Sequence, residues 1–308
     1  MNTVTTIPRR EFMGTTVALA AGAVFPGDAL AISARIRKEI PGTGEKLAVI
    51  GMGTSRTFDA GGDAALLARL QQVMQTFFEL GGGMIDSSPM YGSAQEVIGR
   101  LLPKVRGARN LFAATKVWID GRDAGIAQME ASRRQWGIKR FDLMQIHNLV
   151  DWETHLATLQ QMKAEEKVRY IGITTSHGRF HEQLAEILKK HDFDFVQLSY
   201  NIANRTVESP LLAIAREKGM AVIANRPFQR GRLFRRVKGV PVPPWAREFD
   251  CATWGQFFLK FIISHPAVNC AIPATSKVKH MKDNMQAGRG RLPNAEQRAR
   301  MASYFESL

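Results

Sequence analysis

Cysteine is nearly absent from this 308-residue chain. Cys251 and Cys270 show neither a CxxC pattern nor metal-ligand spacing. Two such residues cannot make a disulfide-dense scaffold, a zinc ribbon or a dithiol redox centre. Cys270, inside the apolar run VNCAIP, reads as a buried free thiol. His155, His177, His181 and His191 likewise lack metal-ligand spacing and read as surface or capping residues, so no metal is expected. Acidic residues are in deficit: 28 Asp and Glu stand against 42 Lys and Arg, a formal charge of +14. Such a surface attracts nucleic acid, anionic lipid or a phosphate-bearing cofactor. No nucleic-acid-binding motif accompanies the charge, so nucleic acid is not an expected partner. What remains is ordinary globular composition, 45% hydrophobic and 23% charged, long enough for a large core.

Residues 8 to 31, PRREFMGTTVALAAGAVFPGDALA, carry paired Arg9 and Arg10, an apolar run from Phe12 to Phe25, and the small-residue ending Ala29, Leu30, Ala31. This is the pattern of a twin-arginine signal peptide, residues 1–31, with cleavage after Ala31. The apolar run is too short to span a bilayer comfortably, so no stable membrane anchor is expected. The reading makes the protein exported, periplasmic or beyond, with the twin-arginine machinery as a partner. Because Glu11 and Asp28 offset the two arginines, the excess positive charge belongs to residues 32–308.

From Ile40 onward short apolar runs alternate with segments of helical spacing. LAVIGMGT, GGGMID, LFAATKV, FDLMQIH, RYIGITT, FDFVQLSYN, MAVIA and NCAIPA read as eight strands, near-continuously apolar and therefore buried on both faces of a parallel sheet. Between them, stretches such as Ala64 to Leu80 place Leu66, Leu67, Leu70, Val73, Met74 and Phe77 on one helical face. No G-x-G-x-x-G turn follows the first strand, as an open dinucleotide-binding sheet would require. The expected fold is a single (β/α)8 TIM barrel over residues 32–308.

Three strand ends carry acid/base residues. GGGMIDSSPMYG stops at Asp86 and delivers Tyr91 five residues later, LFAATKV holds Lys116, and FDLMQIHN ends on His147. The steps between Asp86, Lys116 and His147 are about 30 residues, one strand, one helix and two loops, which in a parallel barrel brings all of them to one mouth. A phenol has an ordinary pKa near 10. A nearby lysine ammonium favours the phenolate and lowers that value, a carboxylate holds the lysine charged, and an imidazole polarises a carbonyl. The set is suited to protonating the oxygen of a carbonyl as hydride reaches its carbon.

The segments IDSSPMYG, TKV and QIHN resemble the catalytic segments of the aldo/keto reductase superfamily, and the resemblance extends through VQLSYN (196–201) and IPATSKVKHMKDN (272–284). It implies the same barrel, with Tyr91 as general acid, Lys116 and Asp86 tuning it, and His147 orienting a small-molecule carbonyl substrate. It also implies NADPH as hydride source, with NADH possible. Gln197 would hold the nicotinamide carboxamide, and the segment containing Thr275, Lys277, Lys279, His280, Asp283 and Asn284 the adenosine side. Three segments depart from the family. In GITTSH, Thr174 and Thr175 replace a serine and an asparagine. In NRPF, which spans Asn225, Arg226 and Phe228, Asn225 stands where a tyrosine stacks on the nicotinamide. His280 takes the place of an arginine that meets the 2′-phosphate, leaving Lys277 and Lys279 as substitutes. The basic run QRGRLFRRVKG (229–239) reads either as a loop that puts Arg230 or Arg232 beside Gly231 against the pyrophosphate or as a solvated loop, and Trp118 either as a wall of the substrate pocket or as packing at the barrel rim. The altered cofactor contacts keep open a dinucleotide-binding partner or sensor barrel of little activity. A Schiff-base lyase with Lys116 as nucleophile is the other alternative.

Overall fold

The computed structural model describes residues 1–3 and 34–308. The paired arginines, the apolar run and the cleavage point after Ala31 lie outside the described residues. Ala34–Leu308 forms one compact unit.

The alternating grammar folds as parallel strands whose connections are helices. After a short antiparallel hairpin of β1 (Arg37–Glu39) and β2 (Lys46–Ala48) come β3 (Met52–Gly53), β4 (Met84–Asp86), β5 (Phe112–Val117), β6 (Phe141–His147) and β7 (Val168–Thr174). The remaining strands are β8 (Phe195–Ser199), β9 (Ala221–Asn225) and β10 (Cys270–Ala271). Strands β3 to β10 lie side by side in sequence order, each parallel to the next. The sheet curls until its ends meet: Ile50 bridges Ala271 and Gly53 bridges Ala274. Gly51 N–H donates to the Ala271 carbonyl at 2.9 Å, Ala271 N–H to Val49 at 2.9 Å, and Gly53 N–H to Pro273 at 3.1 Å. Gly53 is required there, because a Cβ would sit 2.7 Å from the Ile272 carbonyl.

Helices α1 (Ala64–Glu79), α2 (Ala94–Leu101), α3 (Arg122–Trp136), α4 (Trp152–Ala164), α5 (His181–Lys190) and α6 (Leu211–Glu217) each return the chain from one strand to the next. Then follow α7 (Arg232–Arg236), α8 (Trp254–Ile263), α9 (Val278–Ala287) and α10 (Ala295–Glu306). Local signals set their ends. Asp63 caps α1 by accepting from Leu66 N–H, Gly137 stops α3 in the left-handed conformation, and Asn294 with Gln297 forms a capping box on α10. The buried face of α1, with Leu70, Val73, Met74 and Phe77, is the one its spacing predicts.

The core has two layers. The larger lies between sheet and helices. The smaller fills the barrel interior, where Ile40 and Leu47 of the hairpin segment pack with Met84, Phe112, Leu143, Phe195, Ile223 and Ile272. The hairpin therefore plugs the floor of the barrel. Lys38 fastens it by donating to the carbonyls of His265 (2.9 Å) and Val268 (2.7 Å), and Asn269 donates to Glu39 at 2.8 Å. With its floor closed, the barrel can admit a ligand only at the C-terminal ends of the strands.

Several details differ from the sequence reading. LAVIGMGT is two strands, since residues 46–48 pair with β1 before the chain turns into the barrel. The basic run at 229–239 contains α7 rather than being all loop. His155 is fully buried, its Nε2 2.6 Å from the Ile119 carbonyl, and is no surface residue. Cys251 and Cys270 are both buried free thiols, pushed up to about 12 by burial. Among the described residues, no helix is long and apolar enough to cross a membrane.

Candidate active site

Asp86 ends β4, Lys116 lies one residue from the end of β5, and His147 ends β6. Their strands are adjacent and parallel, so the three side chains meet above the barrel interior. Lys116 Nζ donates to Asp86 Oδ1 at 2.6 Å and to the Ser87 carbonyl at 2.8 Å, with lysine and aspartate both buried. Burial opposes the lysine's charge, but Asp86 and Tyr91 outweigh it and hold the ammonium above its ordinary pKa. Tyr91 comes from the loop after β4, and Lys116 Nζ lies 5.2 Å from its ring centroid. Burial pushes the Tyr91 phenol up; Lys116 pulls it down without cancelling that effect. The lowered phenol expected from the sequence is therefore not found, because desolvation outweighs the ammonium. What results is a phenol that keeps its proton at neutral pH. His147 stands edge-on to Tyr91 at 6.0 Å between ring centroids and is held neutral, first by burial and then by Lys116, which depress its pKa to about 2.

A buried amide network ties this centre to the next strands. Gln145 on β6 and Gln197 on β8 each donate to Asp86 Oδ2 at 2.9 Å, and Gln197 also donates to Gln145 Oε1 at 3.0 Å. Asn225, ending β9, donates to Gln197 Oε1 at 3.3 Å and to the Thr175 carbonyl at 3.1 Å, and accepts from Ser199 at 2.7 Å. Asp86 thus accepts three hydrogen bonds from neighbouring side chains. Gln145 opens the QIHN segment but had no role assigned to it, and the parallel register that sets Lys116 opposite it brings it into the site.

Above the network opens a cavity of about 1150 Å³. Of the residues expected from the sequence, Asp86, Tyr91, His147, Thr174, Gln197 and Asn225 line it, as do Arg226, Phe228, Gly231, Thr275, His280, Asp283 and Asn284. Lys116 lies beneath the wall. Thr175 does not line the cavity: it is fully buried, its hydroxyl without a partner among the described residues. Lys277 and Lys279 are exposed and stand outside the lining, because the chain turns at Thr275 and α9 begins at Val278. Trp118 is exposed, its ring 6.3 Å from His147.

Arg56, Arg179, Arg226 and Arg230, from loops after β3, β7 and β9, also line the cavity. None has a carboxylate partner among the described residues. Burial, then Arg230, Arg56 and Arg232, lower the pKa of Arg226. Its Nη1 lies 2.6 Å from Nε2 of His177, which burial and the surrounding arginines hold below its usual pKa. His177 is exposed, as its reading as a surface residue has it, and lines the cavity mouth. Arg56, Arg179 and His177 were not legible, since lone residues in non-periodic loops carry no signal. At the other end of the cavity Asp283 accepts from Thr253 at 2.9 Å and from Gln256 at 2.8 Å, while the buried Nδ2 of Asn284 has no partner among the described residues.

Fold and site together define a parallel-barrel enzyme with an acid/base centre at the C-terminal ends of its strands. The chain belongs to the aldo/keto reductase family, whose defining sequence pattern matches residues 49–303. An aldo-keto reductase of Strobilurus tenacellus is 24% identical over 250 residues, covering 68% of this chain and 74% of the relative. The NADH-specific methylglyoxal reductase of Escherichia coli is 26% identical over 199 residues, 54% of this chain and 59% of that one. A Klebsiella pneumoniae aldo-keto reductase solved in complex with NADPH superposes with a TM-score of 0.71 at 24% identity, covering 88% of this chain and 95% of that chain.

Proposed function

We propose that this protein reduces an aldehyde or ketone to an alcohol using NADPH, with NADH as a possible substitute, and that Tyr91 is the proton donor. One observation carries the reading: a buried Asp86–Lys116 ion pair beneath a protonated Tyr91 and a neutral His147, all at one cavity. The cavity suits a dinucleotide. Among the described residues its arginines lack acidic partners and the buried Asn284 amide lacks an acceptor, as expected of a wall that receives phosphate and adenosine groups. Relatives named for NADPH complexes and for NADH specificity support both cofactors.

When bound, the reduced nicotinamide supplies hydride to the carbonyl carbon. Tyr91 gives its hydroxyl proton to the carbonyl oxygen, and the Lys116 ammonium stabilises the phenolate left behind. Asp86, fixed by Gln145 and Gln197, keeps Lys116 charged and in place. His147 orients the oxygen. A Schiff-base role for Lys116 has no support, since a nucleophilic amine must be neutral and this one is held as an ammonium.

The test is binding followed by turnover. Tryptophan fluorescence should be quenched by NADPH, and a panel of aldehydes and ketones should then oxidise it. Binding without turnover would favour the weakly catalytic partner or sensor barrel, and binding of neither nucleotide would refute the reading. Export by the twin-arginine route belongs to the same proposal and rests on Arg9, Arg10 and the run ending at Ala31. Replacing both arginines by lysine should retain the precursor in the cytoplasm on cell fractionation.

A further inference from the structure

Ser88 has no part in the reading above, yet it is fully buried and its Oγ lies 2.9 Å from His147 Nδ1. A serine hydroxyl brings one proton and two lone pairs. The backbone N–H of Met90 donates to Ser88 Oγ at 3.4 Å and occupies one lone pair. For the hydroxyl proton, His147 Nδ1 is the one acceptor in contact among the described residues, and burial shuts out water.

His147 is neutral and carries a single ring proton. Were that proton on Nδ1, Ser88 would accept from both Met90 and His147, and its own proton would be buried with no acceptor. Such an unsatisfied group costs about 1–3 kcal/mol. With Nδ1 bare, every group is matched: Met90 N–H donates to Ser88, Ser88 donates to Nδ1, and the ring proton sits on Nε2. His147 lines the cavity, and its Nε2 makes no hydrogen bond among the described residues.

We propose that Ser88 is a positioning residue that locks His147 in the Nε2–H tautomer, so that the imidazole presents a donor to the carbonyl oxygen. The inference rests on the carbonyl-reductase reading for its catalytic meaning, although the tautomer itself does not depend on turnover. The opposite tautomer would set a bare nitrogen lone pair against the lone pairs of the oxygen, repelling the group it must orient. Ser88 as a simple turn former would need only the Met90 bond.

The test reads the ring directly. In the wild-type protein, 15N spectra of histidine, assigned by comparison with His147→Gln, should show His147 as neutral Nε2–H at pH 7. A neutral Nδ1–H form or an imidazolium overturns the proposal without any Ser88 variant. Ser88→Ala should produce a mixture of tautomers and lower kcat about fivefold to tenfold, the loss of one hydrogen bond, with the Kd for NADPH within about twofold. Ser88→Thr, which keeps the hydroxyl, should recover the Nε2–H signal. A Ser88→Ala protein with unchanged tautomer and unchanged kcat would also overturn it. If the wild type showed the Nε2–H form but reduced no carbonyl with either nucleotide, the functional reading would fall and the tautomer lock would stand.

Discussion

At the scale of single residues, the centre separates two jobs that one side chain cannot do alone. Tyr91 must hold a proton at neutral pH and yet release it, and burial secures the first while Lys116 stabilises the anion that follows. Tyr91→Phe removes the proton and nothing else of the ring, so kcat should fall by about 10² to 10⁴ with NADPH affinity nearly unchanged. Steady-state kinetics paired with a fluorescence titration would check both halves. His147 gives a second test, through stability. Its pKa falls from 6.5 in the unfolded chain to about 2 in the folded one, so between those values the unfolded state binds the extra proton. Stability is then full above pH 6.5 and is lost on acidification, by about 1.4 kcal/mol per pH unit from this group. His265, His177 and His181 are also held below their ordinary pKa, so urea unfolding at pH 4 to 7 should show a slope that His147→Gln reduces by this contribution. Asp86, Tyr91, Lys116 and His147 were legible because each sits at or near the end of a strand whose apolar pattern is plain. Ser88 and Gln145 were not, since their roles exist only once neighbouring strands fix the register.

Elements were legible in proportion to their periodicity. Long amphipathic helices such as α1 and fully buried strands such as β5 appear close to where their patterns put them. The hairpin of β1 and β2 escaped notice, being three residues a side around a Pro-Gly-rich turn. Short α7 escaped too, because a basic run offers no apolar face of useful length. One helix contact makes a sharp prediction. Gly99 in α2 lies so close to α3 that a Cβ would stand 1.8 Å from the Gln135 carbonyl. Alanine is favoured over glycine inside a helix by about 1 kcal/mol, but overpacking against backbone costs roughly 1–3 kcal/mol or more. Gly99→Ala should therefore lower Tm by several degrees in calorimetry, reversing the usual effect of this exchange.

Across the whole molecule, the positive surplus has a focus. Arg56, Arg179, Arg226 and Arg230 come from three separate loops and converge on the same cavity. Composition announced the charge; only the closed barrel shows where part of it is aimed. Because these groups lack acidic partners among the described residues, NADPH binding should weaken steadily as salt rises from about 0.05 to 0.5 M, with NADH less affected owing to its lower charge. Isothermal titration at several ionic strengths would measure both slopes.

The seam that closes the sheet joins Ile50 to Ala271 and Gly53 to Ala274, opposite ends of the barrel chain. A ribosome adding 5–20 residues per second makes these partners roughly 10–45 s apart. Throughout that interval the first barrel strand has one neighbour instead of two, and the floor hairpin has nothing to hold at His265 and Val268. The nascent chain therefore carries an unpaired strand edge until synthesis is nearly over, which makes those seconds the period in which a chaperone would matter most.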